Sequence, residues 1–446
     1  MSERTKTVGR VLTRQATPAH GDIGLREEAA LVPGRGNSTY GGMTGEWKDI
    51  TLGDFVALQR GHDLTEPERR PGHVPVIGSA GQNGFHDTAL AKGPGIVIGR
   101  SGASFGQVHF CATDYWPHNT GLYVTDFKGN DPRFAYYFLK ALDFDRYNSG
   151  SAQPSLNRNF IYPIPICVPE PDEQKAIAHI LGTLDDKIEL NRRMNATLEA
   201  MARALFQSWF VDFDPVRAKL DGRQPAGLDA ATAALFPAHF QESPLGHIPQ
   251  GWEVRSLDQV ADYLNGLALQ KYPPGDGATL PVIKIAQLRK GDSEGADRCN
   301  TDLASQYIVE NGDVLFSWSG SLEVELWCGG RGALNQHLFK VTSSDFPKWF
   351  YYLWTLYHLD EFRLIAADKA TTMGHIQRGH LTAAKVLIPP SMLMESMSHI
   401  MTPLIDQIIA NRAQSRTLAT LRNALLPMLL SGDFRVPNVE NEVASV

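Results

Sequence analysis

The segment ICVPEPDEQKAIAHILGTLDDKIELNRR, residues 166–193, decides the fold because the chain contains it twice. Its counterpart is VLIPPSMLMESMSHIMTPLIDQIIANRA, residues 386–413. Further out, GEWKDITLGDFVALQRG around Trp47 returns as QGWEVRSLDQVADYLNG around Trp252. A repeat of this length is a duplicated domain followed by a helix, since solenoid repeats span only about 20 to 50 residues. Two such modules in one chain favour a pseudo-two-fold molecule with two related surfaces.

Apolar residues in the repeated helices recur at alternating intervals of four and three residues, which is the spacing of a coiled-coil seam. Both seams carry Asn at the same central place, Asn191 in the first helix and Asn411 in the second. A buried Asn fixes the register of paired helices, so the two helices are predicted to pair with each other, antiparallel if a two-fold axis relates them. The seam residues are Ile177, Leu181, Leu184, Ile188, Asn191, Leu198 and Leu205 in the first helix and Leu404, Ile408, Asn411, Leu418 and Leu425 in the second.

Three further features of the helices come from capping and proline patterns. Asp172, which follows Pro171, is expected to cap the first helix. Thr402 and Pro403 form a good N-cap and N1 pair inside the second seam, so a break or kink is expected there. Pro427 should act in the same way near the end of that helix.

Short β-type runs separated by turn residues precede each helix, in the same order in both copies. In the first copy they are VPVIG (74–78), GIVIG (95–99) and GLYVTDF (121–127), and in the second they are LPVIKIAQL, GDVLFSWSG and HLFKVT. An aromatic helix follows each set, RFAYYFLKAL and PKWFYYLWTLY, and its stripe is more typical of core packing than of base stacking.

The predicted fold class is α+β: two duplicated α+β domains, separated by two long antiparallel helices that form an intramolecular coiled coil with pseudo-two-fold symmetry. The expected boundaries are an irregular N-terminal extension at 1–43, the first domain at 44–169, a central helix at 170–214, a linker with a short helix at 215–249, the second domain at 250–389, a C-terminal helix at 390–432 and a flexible tail at 433–446.

Composition limits the functional classes. The net charge of −7 argues against non-specific binding to polyanions, so DNA binding would need local basic clusters or basic partners. Four widely spaced cysteines have neither disulfide nor zinc-ligand spacing, which favours buried free thiols. Without a long apolar run or a signal peptide, a cytoplasmic location is expected.

Catalytic motifs are nearly missing from the sequence. PEPDEQK, residues 169–175, contains the letters of a metal-dependent nuclease motif in Asp172, Glu173 and Lys175. Such a site needs carboxylates that converge from separate strands, whereas these residues share one helix start, where acids favour the helix dipole. We therefore predict no catalytic residue and no metal site.

Candidate DNA-binding residues come from matching loops of the two copies. SAQPSLNRN (151–159) matches KATTMGHIQRG (369–379), and the turn GRSG (99–102) matches SWSG (317–320). Arg, Asn and Gln are suited to base edges in the major groove, and a glycine turn can bind phosphate, although a solvated surface or a simple turn explains each one alone. The candidates are Arg100, Ser101, Gln153, Asn157, Arg158, Asn159, Lys284, Arg289, Trp318 and Arg378.

Taken together and in this order, four segments resemble the specificity subunits of type I restriction-modification systems. They are VPEPDEQKAIAHILGTLDDKIELN, LFQSWFVDFDPVRAK, SPLGHIPQGWEV and LLPMLLSGD, and the resemblance covers about residues 45–435. It implies two target-recognition domains, each reading one half of a bipartite double-stranded DNA site, with paired helices that hold them apart and take part in subunit docking. It also implies two modification (methyltransferase) subunits and ATP-dependent restriction subunits as partners. S-adenosylmethionine, ATP and Mg²⁺ would be bound by those partners.

Two alternatives remain open from the sequence. A structural adaptor that binds only proteins would use the same coiled coil and paired domains but show no sequence-dependent DNA affinity. A stand-alone nuclease that uses Asp172, Glu173 and Lys175 would cleave DNA without partners.

Overall fold

The computed structural model describes residues 47–150, 154–368 and 374–436, which separate into two compact units. Of these residues, the first unit contains 47–130, 143–150, 154–170 and 430–435, and the second contains 131–142, 171–368, 374–429 and 436. The predicted extension at 1–43, the end of the predicted tail and the candidate residue Gln153 lie outside the described residues.

The first copy of the repeat is made of short strands and short helices. In chain order they are β1 (Lys48–Thr51), α1 (Leu52–Phe55), β2 (Ala57–Arg60), β3 (Val74–Gly78), β4 (Gly81–His86), β5 (Gly95–Gly99), β6 (Val108–Cys111), β7 (Trp116–Pro117), β8 (Gly121–Asp126), α2 (Pro132–Ala141), α3 (Arg158–Ile161) and β9 (Pro165–Val168). All of these except α2 belong to the first unit.

The second copy belongs to the second unit and follows the long helix α4 (Pro171–Phe206) and a π-helical turn (Gln207–Val211). The linker before it contains α5 (Asp214–Leu220), α6 (Ala230–Leu235), β10 (Phe240–Ser243) and β11 (Gly246–Pro249). The elements of the second copy are β12 (Glu253–Ser256), α7 (Leu257–Val260), β13 (Asp262–Asn265), β14 (Thr279–Ile283), α8 (Ile285–Lys290), β15 (Arg298–Asn300), β16 (Ile308–Val309), β17 (Val314–Ser317), β18 (Val324–Leu326), β19 (Gly332–Leu334), β20 (Leu338–Thr342), α9 (Lys348–Tyr357), α10 (Leu359–Asp368), α11 (Arg378–Ala383) and β21 (Lys385–Ile388). The helix α12 (Ser391–Ser431) ends the repeat.

The sheets of the two copies have matching topologies. Antiparallel β1 and β9 correspond to β12 and β21, and the order β2-β8-β5-β6 corresponds to β13-β20-β17-β18. The third sheet, β4-β3-β7, corresponds to β15-β14-β19, and in each of these a parallel pair lies beside an antiparallel one. The duplicated α+β fold is therefore confirmed strand by strand.

Local sequence explains why each copy starts in the same way. Thr51 begins α1 with a capping box, in which its Oγ1 accepts from the Asp54 N–H at 3.2 Å. Ser256 does the same for α7, and its N–H donates to Gln259 Oε1 at 2.9 Å. Reciprocal caps of this kind satisfy amides that a helix start would otherwise leave unpaired.

Aromatic side chains form the main core of the second unit. Trp349, Phe350 and Trp354 of α9 are buried, as the aromatic pattern predicted. The π-helical turn adds Trp209 and Phe210, and the ring of Phe210 lies 5.7 Å from that of Trp354, centroid to centroid. The segment that joins the long helix to the second copy is thus part of the hydrophobic core.

The two long helices run antiparallel, as predicted. Asp185 on α4 pairs with Arg422 on α12, and further along α4 Glu199 pairs with Arg412 at 2.9 Å. The partner number falls as the residue number rises, which is the mark of an antiparallel pair.

A buried amide network lies at the centre of this pair. Asn191 Nδ2 donates to Gln414 Oε1 at 2.8 Å and to Ser415 Oγ at 3.2 Å. Asn411 Nδ2 donates to Asn195 Oδ1 at 2.9 Å. The repeat relates Asn191 to Asn411 and Asn195 to Ser415. The Asn191–Ser415 contact is therefore the repeat equivalent of the Asn411–Asn195 contact. The helix pair therefore has the isologous contacts of a two-fold axis.

The predicted seam residues have different degrees of burial. Those that are buried are Ile177, Leu181, Asn191, Ile408 and Asn411. Those that are half-buried are Leu184, Ile188, Leu198, Leu205, Leu404, Leu418 and Leu425. The amides in the middle of the seam are thus among its least exposed members.

The prolines of the second helix do not break it, so the predicted break is wrong, whereas the kink stays a prediction. Pro403 and Pro427 both lie inside α12, which is assigned as helix over all 41 residues. An interior proline costs about 3 kcal/mol. Burying the side chains of Met397, Met401 and Ile405 around Pro403 contributes roughly 1.5 to 3 kcal/mol each, which outweighs that cost.

The start of the first helix also differs from the prediction. The helix begins at Pro171, so Asp172 lies in its first turn and is not the cap. Proline favours the first helical position because its fixed φ suits the helix and its missing N–H would be unpaired there anyway.

Candidate nucleic-acid interface

A polar cleft in the first unit brings together several of the predicted DNA-binding residues. It is formed by the end of β2, the residue after β5 and the loop that leads into α3. The backbone connects these parts, since Leu156 N–H donates to Arg100 O at 2.8 Å and Arg100 N–H donates to Thr120 O at 2.9 Å. The cleft is lined by Gln59, Arg60, Gly61, His62, Asp63, Arg100, Leu122, Ser149, Ser155, Leu156, Asn157, Arg158 and Asn159.

Positive charge is in excess in this cleft. Its lining residues include three arginines and one carboxylate, Asp63. Burial lowers the pKa of the Arg100 guanidinium, and the like charge of Arg60 lowers it further. Arg100 Nε is buried without a hydrogen-bond partner among the described residues, and Arg60 makes a long 3.7 Å contact with the exposed Asp63. A phosphate or a guanine edge would supply the missing acceptors.

Arg158 and Asn157 are partly engaged in holding the loop together. Arg158 is the first residue of α3, and its Nη1 donates to Leu58 O at 2.9 Å. Asn157 caps the same helix, because its Oδ1 accepts from the Asn159 N–H at 3.0 Å. The Asn159 side chain is exposed at the edge of the cleft.

The second copy repeats this backbone arrangement. Ile376 N–H donates to Trp318 O at 3.0 Å, and Trp318 N–H donates to His337 O at 3.3 Å. Arg378 begins α11, and its Nη2 donates to Tyr263 O at 3.0 Å. Tyr263 is the counterpart of Leu58 in the repeat, so the two predicted arginines make the same bond in the two domains.

The side chains at this place differ between the copies. Trp318 stands where the first copy has Arg100, and its Nε1–H donates to Asn265 Oδ1 at 2.8 Å. Its ring lies 5.8 Å from that of His337 and 6.4 Å from that of His375, centroid to centroid. The cationic group of the first domain is replaced by an aromatic one.

The other candidates lie elsewhere. Ser101 forms a backbone bridge with Ser155, as Ser319 does with His375. Lys284 precedes α8 and is ion-paired with Asp297. Arg289 lies on α8 and lines a groove beside α4 and α12.

Sequence reasoning missed four residues of these sites, namely Arg60, Asn265, His337 and His375. A signal for two of them was present, because Arg60 and Asn265 each precede a glycine of the repeat, Gly61 and Gly266. The histidines give no such signal, since they are brought to Trp318 by the fold.

The residues considered for a nuclease do not converge. Asp172 and Lys175 lie on the first turn of α4 and pair with each other at 3.0 Å. Within residues 47–150, 154–368 and 374–436, no cluster of three or more His, Cys, Asp or Glu side chains is suited to hold a metal ion. No described helix is long and apolar enough to cross a membrane.

Comparison with known proteins identifies the family. The model of the type I restriction modification DNA specificity domain matches residues 44–200 and again residues 249–418. The chain belongs to this family. Both matches cover a copy of the repeat, and recognition of a DNA target, as the specificity subunit of a type I restriction-modification system, is the function that this membership gives the chain.

Similar proteins carry the same description. The chain is 27% identical over 316 residues to the type I restriction enzyme MjaIX specificity subunit of Methanocaldococcus jannaschii, which covers 68% of this chain and 69% of that protein. It is 22% identical over 355 residues to the HindI specificity subunit of Haemophilus influenzae, covering 68% and 77%. The crystal structure of a type I restriction-modification S subunit from M. genitalium covers 90% of this chain and 99% of that one, with a TM-score of 0.56 and 15% identity, which supports the fold.

Proposed function

We propose that this chain reads a bipartite double-stranded DNA site, one half with each α+β domain, and has no catalytic activity of its own. The observation that supports the proposal is that the same backbone hydrogen bonds and bridges hold the matching loops at equivalent positions of both domains. Two related reading surfaces in one chain suit two separate sequence elements. The excess of arginines in the first cleft offers local charge to DNA although the whole chain is acidic.

Two modification subunits would dock on this chain, with the paired helices contributing to the docking surfaces. Pseudo-two-fold contacts within the helix pair support two equivalent partners, because each partner would meet a related surface. S-adenosylmethionine would be bound by the modification subunits, and ATP and Mg²⁺ by restriction subunits. We expect the complex to act in the cytoplasm.

Methylation mapping tests this proposal. The chain is expressed together with its modification subunit, and methylated adenines are mapped across the DNA of the host. A single motif of two short elements with a fixed gap is expected. Methylation without any motif, or a motif of one uninterrupted element, contradicts a two-domain reader.

Incubating the purified chain alone with DNA and Mg²⁺ tests the lack of catalysis. The expected result is intact DNA, because Asp172 and Lys175 neutralise each other on one helix turn. Cleavage that disappears in an Asp172→Asn variant would restore the nuclease hypothesis.

A further inference from the structure

The two domains share the same backbone hydrogen bonds around the residue that follows an inner strand, but the side chain of that residue differs. That strand is β5 in the first domain and β17 in the second. The residue directly after it is fixed by hydrogen bonds of its own backbone N–H and carbonyl, at 2.9 and 2.8 Å for Arg100 and at 3.3 and 3.0 Å for Trp318. Because the main chain is held, the side chain is free to differ in chemistry.

In the first domain this side chain is a cation with unused donors. Arg100 lies in the cleft beside Arg60, and its buried Nε has no partner among the described residues. Two neighbouring guanidinium groups repel each other, so an acceptor bound between them would relieve that repulsion. The planar fork of arginine fits the O6 and N7 acceptors of guanine with two bonds.

In the second domain the equivalent side chain has no donor left. The indole has a single N–H, and Trp318 uses it on Asn265. The rings of His337 and Phe339, at 5.8 and 5.9 Å, hold the half-buried indole in place. What it presents is apolar surface, and the apolar feature of a base in the major groove is the thymine methyl group.

We infer that Arg100 and Trp318 are the specificity-determining residues of the two domains, with Arg100 binding a guanine of one half-site and Trp318 contacting a thymine of the other. This assignment rests on the proposed function. It predicts two half-sites that differ in base composition at the contacted positions.

The experiment compares methylation motifs of wild type and variants in complex with the modification subunit. Arg100→Ala should reduce discrimination for guanine at one position of one half-site by roughly 5- to 150-fold, the value of a lost bidentate contact. Arg100→Lys should keep most of the affinity but lose the same discrimination, since lysine has the charge without the fork. Trp318→Ala should relax a thymine position in the other half-site, and Trp318→Phe should retain it.

Lys92→Ala is the matched control. Lys92 lies in the loop before β5, whereas Arg100 follows the other end of that strand, and its side chain is 90% exposed in a pair with Asp114. This variant removes the same charge from the same unit and should leave the motif unchanged. Thermal unfolding of every variant establishes that the fold is intact.

Two results overturn the inference. If Arg100→Ala and Arg100→Lys both keep the wild-type motif, Arg100 does not discriminate bases. If Arg100→Ala weakens binding to all sequences equally and lowers the salt dependence by about one charge, Arg100 contacts phosphate. A wild-type complex without any motif instead contradicts the proposed function, so the two failures are distinguishable.

Discussion

At the scale of single residues, Arg158 and Arg378 have a structural role in addition to the DNA-binding role predicted for them. Each begins a short helix and donates to the backbone carbonyl of the first strand of its neighbouring sheet, Leu58 in one domain and Tyr263 in the other. Arg378 also lies over the ring of Phe339, 5.7 Å from its centroid. They are best described as positioning residues, because these bonds fix the loops that carry the proposed DNA-contacting side chains.

Replacing either arginine should damage one half of the recognition only. Arg158→Ala removes one charged hydrogen bond and should cost about 1.5 to 3 kcal/mol in the stability of the first domain. Methylation mapping should show relaxed recognition of the half-site read by that domain, and Arg378→Ala should do the same for the other half-site. Equal loss at both half-sites, or no loss, would contradict the two-reader arrangement.

The four cysteines are free, and three of them, Cys111, Cys299 and Cys328, are buried. Burial raises the pKa of the Cys111 thiol to about 12 and also raises that of Cys167. The thiolate is the reactive form, so reaction with a thiol reagent at pH 8 should be slow and should become about tenfold faster per pH unit below that pKa.

Cys167 is half-buried and should react first in the native protein. The other three should react only after unfolding in urea. Mass spectrometry of the labelled peptides measures the order, and rapid native labelling of Cys111 would contradict its burial.

At the scale of elements, the amide network of the helix pair should act as a register device. Asn411→Leu leaves the carbonyl oxygen of Asn195 without its donor and should cost about 1 to 3 kcal/mol. Combining it with Asn195→Leu replaces both polar groups and should recover much of that loss, because two apolar side chains need no partner.

The hydrogen-exchange rates of the α4 and α12 amides are the measurement for this double-mutant cycle. The single variants should exchange faster than wild type, and the double variant should approach wild type. Strictly additive effects would show that the two side chains do not interact. The double variant is also expected to pair with less defined register, since a buried Asn is what excludes shifted pairings.

Much of the fold was predictable because its signals are local or repeated. VPVIG and GIVIG coincide with β3 and β5, and α6 is a short helix within the linker, where one was predicted. The expected strand LPVIKIAQL was only half right, since residues after Ile283 turn into α8. A short apolar run has the same appearance in a strand and in a helix.

Other elements depend on contacts that the sequence does not express. The linker also contains the hairpin of β10 and β11. Pro403 remains inside a helix because the residues around it are packed in the core. A rule based on the local effect of proline does not take that packing into account. For the site, matching loops were visible, whereas the approach of His337 and His375 to Trp318 depends on strands from distant parts of the chain.

At the scale of the whole molecule, we expect the helix pair to set the gap between half-sites. A seven-residue insertion in α4 alone removes the match between its seam and that of α12, and should change the preferred gap or abolish methylation. Matched insertions in α4 and α12 keep the seam and lengthen the pair by about 10 Å, or roughly three base pairs.

Methylation mapping measures the gap in each case. The matched double insertion should yield the wild-type half-sites with a wider gap. An unchanged gap in the double insertion would refute the spacer role, and unchanged methylation with the single insertion would refute the register.

The antiparallel helix pair also has a consequence for the synthesis of the protein on the ribosome. Asn191 and its partner Asn411 are 220 residues apart in the chain. At typical rates of synthesis, roughly 10 to 45 s pass between the emergence of one and of the other from the ribosome. During that time α4 has no partner along its seam, so the nascent chain carries an uncovered apolar stripe until α12 has been made. We therefore expect chaperone dependence and aggregation to increase sharply when translation stalls within the second copy.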